Sequence, residues 1–423
     1  MTVGVPKATP VQKLYHQWRG APEIHFVTQR HRAAHTAQNI LHKHRLLIWI
    51  LRMNRSVWAL GILCVLPLLH AAEVTPTPQL QLRTGDEIYR EACIGCHGPH
   101  GEGVAKVVTG FEPPKTMPDF TKCDQTTPEY NRDYKAVIRD GGPERAFSQI
   151  MPSFKEALTS QQMDMVIETL RGFCKEKGWP RGEMNFPLAL VTEKAFVEDE
   201  SLIKTGINLQ GAPGIDNEFA FEKRYGKVYQ LEVAIPFSFT HERGWSGGIG
   251  DIAVGLKRVM YANVRSGTIL SIQSETVLPT GDRLRGFGTG TTTFGTFAAF
   301  GQRLPGNSFL QMQGGADLPV NTDKAPQSVY LRTALGKSFS DNQGLGRMWS
   351  PIVEAVASRD LMNGATTDWD VVPQFQVTLS RRQHIRCDLG VSVPVNNTAG
   401  RPIQLRLYFL WDRADGGLFE GWR

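Results

Sequence analysis

Five consecutive residues carry the most specific chemistry in this chain: Cys93, Ile94, Gly95, Cys96 and His97. The two thiols lie one helical turn apart, so both reach the same edge of one planar ligand. The imidazole follows directly and can swing beneath that ligand to bind a metal at its centre. Thiols at this spacing with an adjacent His are what covalent haem attachment needs: the thiols add to two vinyl groups and His97 binds iron. A bare CxxC pair would equally serve a redox or zinc site. The adjacent His favours haem, and the expectation is one covalent haem c on Cys93, Cys96 and His97.

The elements that must position this motif read as helical from about Leu80 to Lys177. The stretch Gly85 to Cys174, including GDEIYREACIGCHGPHGEG, resembles class I cytochromes c. The resemblance implies a helix over Asp86 to Ala92 that presents Ile88 and Tyr89 to a partner helix over Met163 to Phe173. In that second segment Met165, Val166, Leu170 and Phe173 recur at helical spacing. Gly98, Gly101 and Gly103 permit tight turns after the His. The family also takes a distal iron ligand from a loop before the last helix. Met151, in SQIMPSF, stands there; Met117, in KTMPDF, is the competitor. Core filling is the bland role for either. The resemblance further implies that Pro113 or Pro114 supplies a carbonyl to orient His97. His and Met together fill both axial positions, which implies electron transfer rather than substrate turnover.

Upstream, Met53, Asn54 and Arg55 precede the apolar run Val57 to Leu69 and the small residues Ala71 and Ala72. This order reads as a signal peptide over 53–72, because thirteen residues are too few to cross about 30 Å of hydrocarbon. Cys64 belongs to that peptide. Residues 1–52 read as an unstructured upstream extension. They contain His16, His25, His31, His35, His42 and His44 without a sustained period, and eight of the Lys and Arg residues against one Glu. The net charge of +6 is thus concentrated there, and nothing suggests nucleic-acid binding. Residues 73–79, with Thr75-Pro76-Thr77-Pro78, read as a stiff linker. Export implies an oxidising compartment, which predicts a disulfide between Cys123 and Cys174.

Trp179-Pro180-Arg181-Gly182 opens a second linker, 179–189, and the pattern then changes period. In 229–240, Tyr229, Leu231, Val233, Ile235, Phe237 and Phe239 share one face, with Gln230, Glu232, Ser238 and Thr240 opposite. Segments 369–380, 384–393 and 403–411 alternate as cleanly; weaker runs occupy 252–264, 268–279, 291–303, 308–318, 327–339 and 349–358. One or two more strands fit between 190 and 222. Such segments predict an antiparallel β-barrel of about 10–12 strands over 190–413, with lipid outside and a polar lumen. A soluble β-sandwich would alternate in the same way. The barrel reading points Glu232, Glu275, Arg332, Arg386, Asp388 and Arg406 inward and leaves Cys387 inert on the apolar face. Residues 414–423 form a tail. GGIGDIAVGLK, at 247–257, resembles a family of outer-membrane barrels associated with catabolism of aromatic compounds, the phenol meta-pathway type.

The fold class expected is therefore α + β multidomain: a small all-α cytochrome c domain, 80–178, followed by the barrel. The combination resembles cytochrome–porin fusions. It implies an electron-transfer protein held in the bacterial outer membrane, with the cytochrome in the periplasm and outside the lumen. Its expected partners are periplasmic electron carriers or another cytochrome, and outer-membrane lipid. A small-molecule channel with a tethered cytochrome is the alternative. No nucleophile–base pair or phosphate loop points to an enzyme.

Overall fold

The computed structural model describes residues 82–103, 112–241, 244–340 and 347–422. The upstream extension, the signal peptide and the linker 73–79 lie outside these residues. Helix α1, Gly85–Ala92, starts at a capping box in which Thr84 accepts from the Glu87 amide while the Glu87 carboxylate takes the Thr84 amide. Its Ile88 and Tyr89 are buried against α5, Ser160–Phe173, which has its own capping box from Thr159 and Gln162. Between them lie α2, Ile94–His97, α3, Cys123–Thr126, and α4, Asn131–Asp140. The crossing of α1 on α5 requires glycine at 85: a Cβ there would come 2.2 Å from the Met165 carbonyl oxygen. Ile88, Tyr89, Phe120, Ile138, Leu158, Met163, Val166, Ile167 and Leu170 form the core.

From Glu200 onward the chain is a closed antiparallel barrel of twelve staves. The strands are β1 Glu200–Asn208, β2 Gly214–Tyr225, β3 Tyr229–His241, β4 Trp245–Ile249, β5 Ile252–Asn263, β6 Thr268–Leu278, β7 Thr293–Arg303, β8 Ser308–Pro319, β9 Ser328–Lys337, β10 Phe339–Ser340, β11 Met348–Asp360, β12 Asp368–Thr378, β13 Ile385–Pro394 and β14 Gln404–Asp412. β4 and β5 share one stave beside β3, and β9 and β10 share one beside β11. Pairing of β1 with β14, Glu200 opposite Asp412, closes the cylinder. Closure removes sheet edges and rules out the sandwich.

The wall is inverted relative to a soluble protein. Phe219, Leu256, Ile272, Phe294, Leu335, Val353, Trp369 and Phe375 all face outward and are exposed. Gln230, Lys257, Gln273, Gln311, Gln313, Glu354 and Gln376 face inward and are buried. The inner wall is not polar throughout, however. Val259, Ile269, Phe297, Ala299, Phe309, Ala334 and Ile352 make an apolar collar near the end where the barrel begins and finishes.

That collar receives residues 185–198, which do not form a strand. Met184, Phe186, Phe196 and Val197 pack into it, and the Phe186 and Phe309 rings stack at 5.7 Å. Deeper in, inward side chains substitute for a neighbouring strand. Glu354 accepts from the amides of Val191 at 3.0 Å and Thr192 at 2.6 Å. Gln374 accepts from the Leu190 amide at 2.9 Å, and Gln313 from that of Glu193 at 3.1 Å. Gln311 donates to the Pro187 carbonyl at 2.8 Å, and Tyr408 to that of Leu188 at 2.8 Å. The residues from 190 to 199, read above as the start of the barrel, are thus part of a plug. Of the inward charges, Arg332 donates to the Val191 carbonyl at 3.1 Å rather than pairing across an empty lumen.

Candidate functional site

Helix α1 delivers Cys93 to its C-terminus, and α2 carries Cys96 and His97 on the next turn; the His97 amide bonds the Cys93 carbonyl at 3.0 Å. Both thiols are unbonded and partly exposed. Burial, with Cys96 beside it, pushes the Cys93 thiol up to about 11. A redox CxxC needs the opposite, a lowered thiol pKa. A zinc site needs further ligands, and among the described residues no group of three or more His, Cys, Asp or Glu is placed to hold a metal ion.

His97 lies under the Phe120 ring at 5.2 Å between centroids. Burial holds its imidazole below the usual His range, so it is neutral and has a lone pair to give. Its Nδ1 is buried and finds no hydrogen-bond partner among the described residues. No carbonyl of Pro113 or Pro114 bonds this nitrogen; that of Pro114 accepts from the Met117 amide at 2.9 Å, closing a turn. The Tyr89 hydroxyl donates to the Gly98 carbonyl at 2.6 Å and fixes the chain just past the His.

Met151 and Cys93 border the same helical core, with Phe154 beside them. Met117 is not part of that cluster; its Sδ lies 3.8 Å from where a Cβ on Gly103 would stand. The Met151 carbonyl accepts from the Gly142 amide at 3.1 Å, closing the loop 142–151. Cys123 and Cys174 are disulfide-bonded and tie α3 to the end of α5. Two free thiols on one turn, a partly buried neutral imidazole and a thioether bordering one core form a donor set that fits a c-type haem.

The helical domain sits outside the barrel, on the collar end. The Gly182 amide bonds the Thr127 carbonyl at 2.8 Å, and Glu183 accepts from the Asn131 amide at 3.3 Å. Glu176 pairs with Lys227, in the β2–β3 turn, at 3.3 Å. A small cavity of about 80 Å3 at this junction is lined by opposed charges, including Glu129, Asp133, Arg145, Arg382 and Asp415. Nothing in the sequence marked that junction, because its members come from eight separate stretches.

Residues 80–168 match the family described as cytochrome C oxidase, cbb3-type, subunit III. The helical part is thus a c-type cytochrome domain. No curated protein matches the chain. Among solved structures, an outer membrane channel from Pseudomonas putida F1 is similar at 12% identity and a TM-score of 0.35, over 52% of this chain and 97% of that one. The KdgM porin follows at 9% identity and 0.33, over 50% and 98%. The beta domain of the Bordetella autotransporter BrkA gives 11% and 0.32, over 50% and 97%.

Proposed function

We propose that this chain is an electron-transfer protein held in the bacterial outer membrane, with one covalent haem c on Cys93 and Cys96 and with His97 and Met151 as axial ligands. The observation that carries the reading is a cytochrome domain joined to a closed barrel whose outer wall is apolar and whose lumen holds the plug 185–198. An apolar outer wall suits lipid, and closure satisfies every strand within it. When bound, the haem supplies a reversible one-electron couple. Cys93 and Cys96 would attach it, and the neutral His97 imidazole and the Met151 thioether would hold its iron. The thioether raises the potential relative to a second nitrogen ligand.

Orientation follows from the turns. Both barrel ends, Glu200 and Asp412, open on the side of the connections 226–228, 264–267, 304–307 and 379–384, whereas 209–213, 279–292, 320–327, 361–367 and 395–403 lie opposite and are longer on average. Short turns mark the periplasmic side in such barrels. This supports the reading of a cytochrome domain on the periplasmic side that exchanges electrons with periplasmic carriers or another cytochrome. The plug weighs against the channel reading, since 185–198 occupies the path a solute would take. A single haem on one side also cannot carry charge through an apolar band of about 25 Å, so a transmembrane route would require a further relay.

The test is electron exchange by purified protein in outer-membrane lipid vesicles. Addition of a reduced soluble cytochrome c to the side bearing the helical domain should reduce the haem, while the same carrier on the opposite side should not. Equal reduction from both sides, or none from either, contradicts the proposal.

A further inference from the structure

The loop that carries Met151 is gripped by the barrel. After α4 the chain forms a single helical turn over Gly142–Arg145, passes Ala146 and returns through Phe147 to Met151. The loop is tight: a Cβ on Gly142 would lie 2.3 Å from the Ser148 carbonyl oxygen and 3.2 Å from the Met151 Cβ. Ala146 adopts the left-handed region at φ 54°, which a residue with a Cβ holds only when its surroundings impose it.

Those surroundings belong to the turn 379–384 between β12 and β13. Arg382 donates to the Ala146 carbonyl from Nη2 at 2.9 Å and from Nε at 3.3 Å, and lies over the Phe147 ring at 4.9 Å. Arg145, only 4% exposed, returns the contact by donating to the Arg382 carbonyl at 3.2 Å while pairing with Asp133 at 3.0 Å. The C-terminal tail closes the grip from behind: Glu420 pairs with Arg382 at 2.8 Å, and the Arg381 amide bonds the Gly421 carbonyl at 2.7 Å.

We propose that Arg382 is a positioning residue for the haem, a clamp on the barrel that holds the Met151 loop shut and so sets how firmly the distal ligand stays on iron. This rests on the assignment of Met151 made above. The barrel then does more than anchor the cytochrome, because its β12–β13 turn and tail govern access to the sixth coordination position. A fork that binds one carbonyl from two nitrogens and stacks on an aromatic ring is a task that a lysine ammonium does not reproduce.

The test uses the full-length haem-loaded protein and three variants: Arg382→Ala, Arg382→Lys and Glu420→Gln. Imidazole is the probe, because it takes the distal position only when Met leaves. Imidazole binding to the ferric protein should be about tenfold faster in Arg382→Ala, the scale of one lost charge-assisted bond. The sulfur-to-iron band in the far red should weaken in parallel. Arg382→Lys should move both readouts the same way, and Glu420→Gln less so. Unchanged imidazole rate and band in a folded Arg382→Ala overturn the clamp while leaving the ligand assignment intact. If that variant fails to fold, unchanged readouts in both Arg382→Lys and Glu420→Gln overturn it equally. Absence of the band in the unmodified protein overturns the ligand assignment itself.

Discussion

Replacing Glu354 by Ala should open the lumen. Glu354 is fully buried on β11 and accepts from the Val191 amide, the Thr192 amide and the Thr192 hydroxyl, the last at 2.5 Å. It also takes the Gln374 side-chain amide at 2.5 Å, and Gln374 in turn holds the Leu190 amide. Hydrogen bonds to a charged partner contribute about 1.5–3 kcal/mol each. Losing the two to the plug backbone therefore costs the plugged state about 3–6 kcal/mol. At about 1.4 kcal/mol per factor of ten, the displaced plug becomes at least about a hundredfold more populated. The assay is single-channel recording in planar bilayers. The unmodified protein should be silent, and Glu354→Ala should show brief openings in preparations whose barrel still migrates faster unboiled than boiled. A silent, folded Glu354→Ala would refute the plug's dependence on Glu354. Steady conductance by the unmodified protein would refute the closed lumen.

Further outcomes can be checked alongside. Met151→His should lower the reduction potential, since nitrogen replaces the thioether, whereas Met117→Leu should leave it unchanged; potentiometric titration of the haem decides between the two methionines. Cys123→Ser should destabilise the cytochrome domain by about 4 kcal/mol, the chain-entropy value for a closed loop of this length, because the bridge spans 51 residues. Thermal melting followed at the haem absorbance reads this. The junction should loosen as pH rises. Burial raises the Glu129 carboxyl, and burial with the Glu129 charge raises that of Asp415. Groups raised in the folded state keep a proton there that the unfolded chain releases, so their contribution is full below the ordinary carboxylate range and fades as pH climbs through the folded values. Limited proteolysis between the two domains should accordingly be slower at acidic pH than at neutral or alkaline pH.

The parts legible in the sequence were local or periodic. Cys93, Cys96 and His97 are contiguous, and α1 and α5 show their faces through Ile88 and Val166 at helical spacing. The strands announce themselves because lipid-facing and inward residues alternate, as in Tyr229 to Thr240. β1 and β2 were fainter for a physical reason: Leu202 and Ala220 point inward yet are apolar, since they pack with Leu188 and Leu190 of the plug. The plug was illegible. Its residues were divided between a linker, 179–189, and the start of the barrel at 190, and its backbone partners are side chains of Gln311, Gln313, Glu354 and Gln374, more than a hundred residues away.

The most direct test of a cytochrome fused to an outer-membrane barrel is fractionation of the cell into inner membrane, outer membrane and periplasm. Each fraction is run on a denaturing gel with and without boiling and stained for covalent haem. The account predicts one haem-positive band in the outer membrane that migrates faster unboiled. A haem band confined to the soluble periplasm, with no shift on heating, would contradict it.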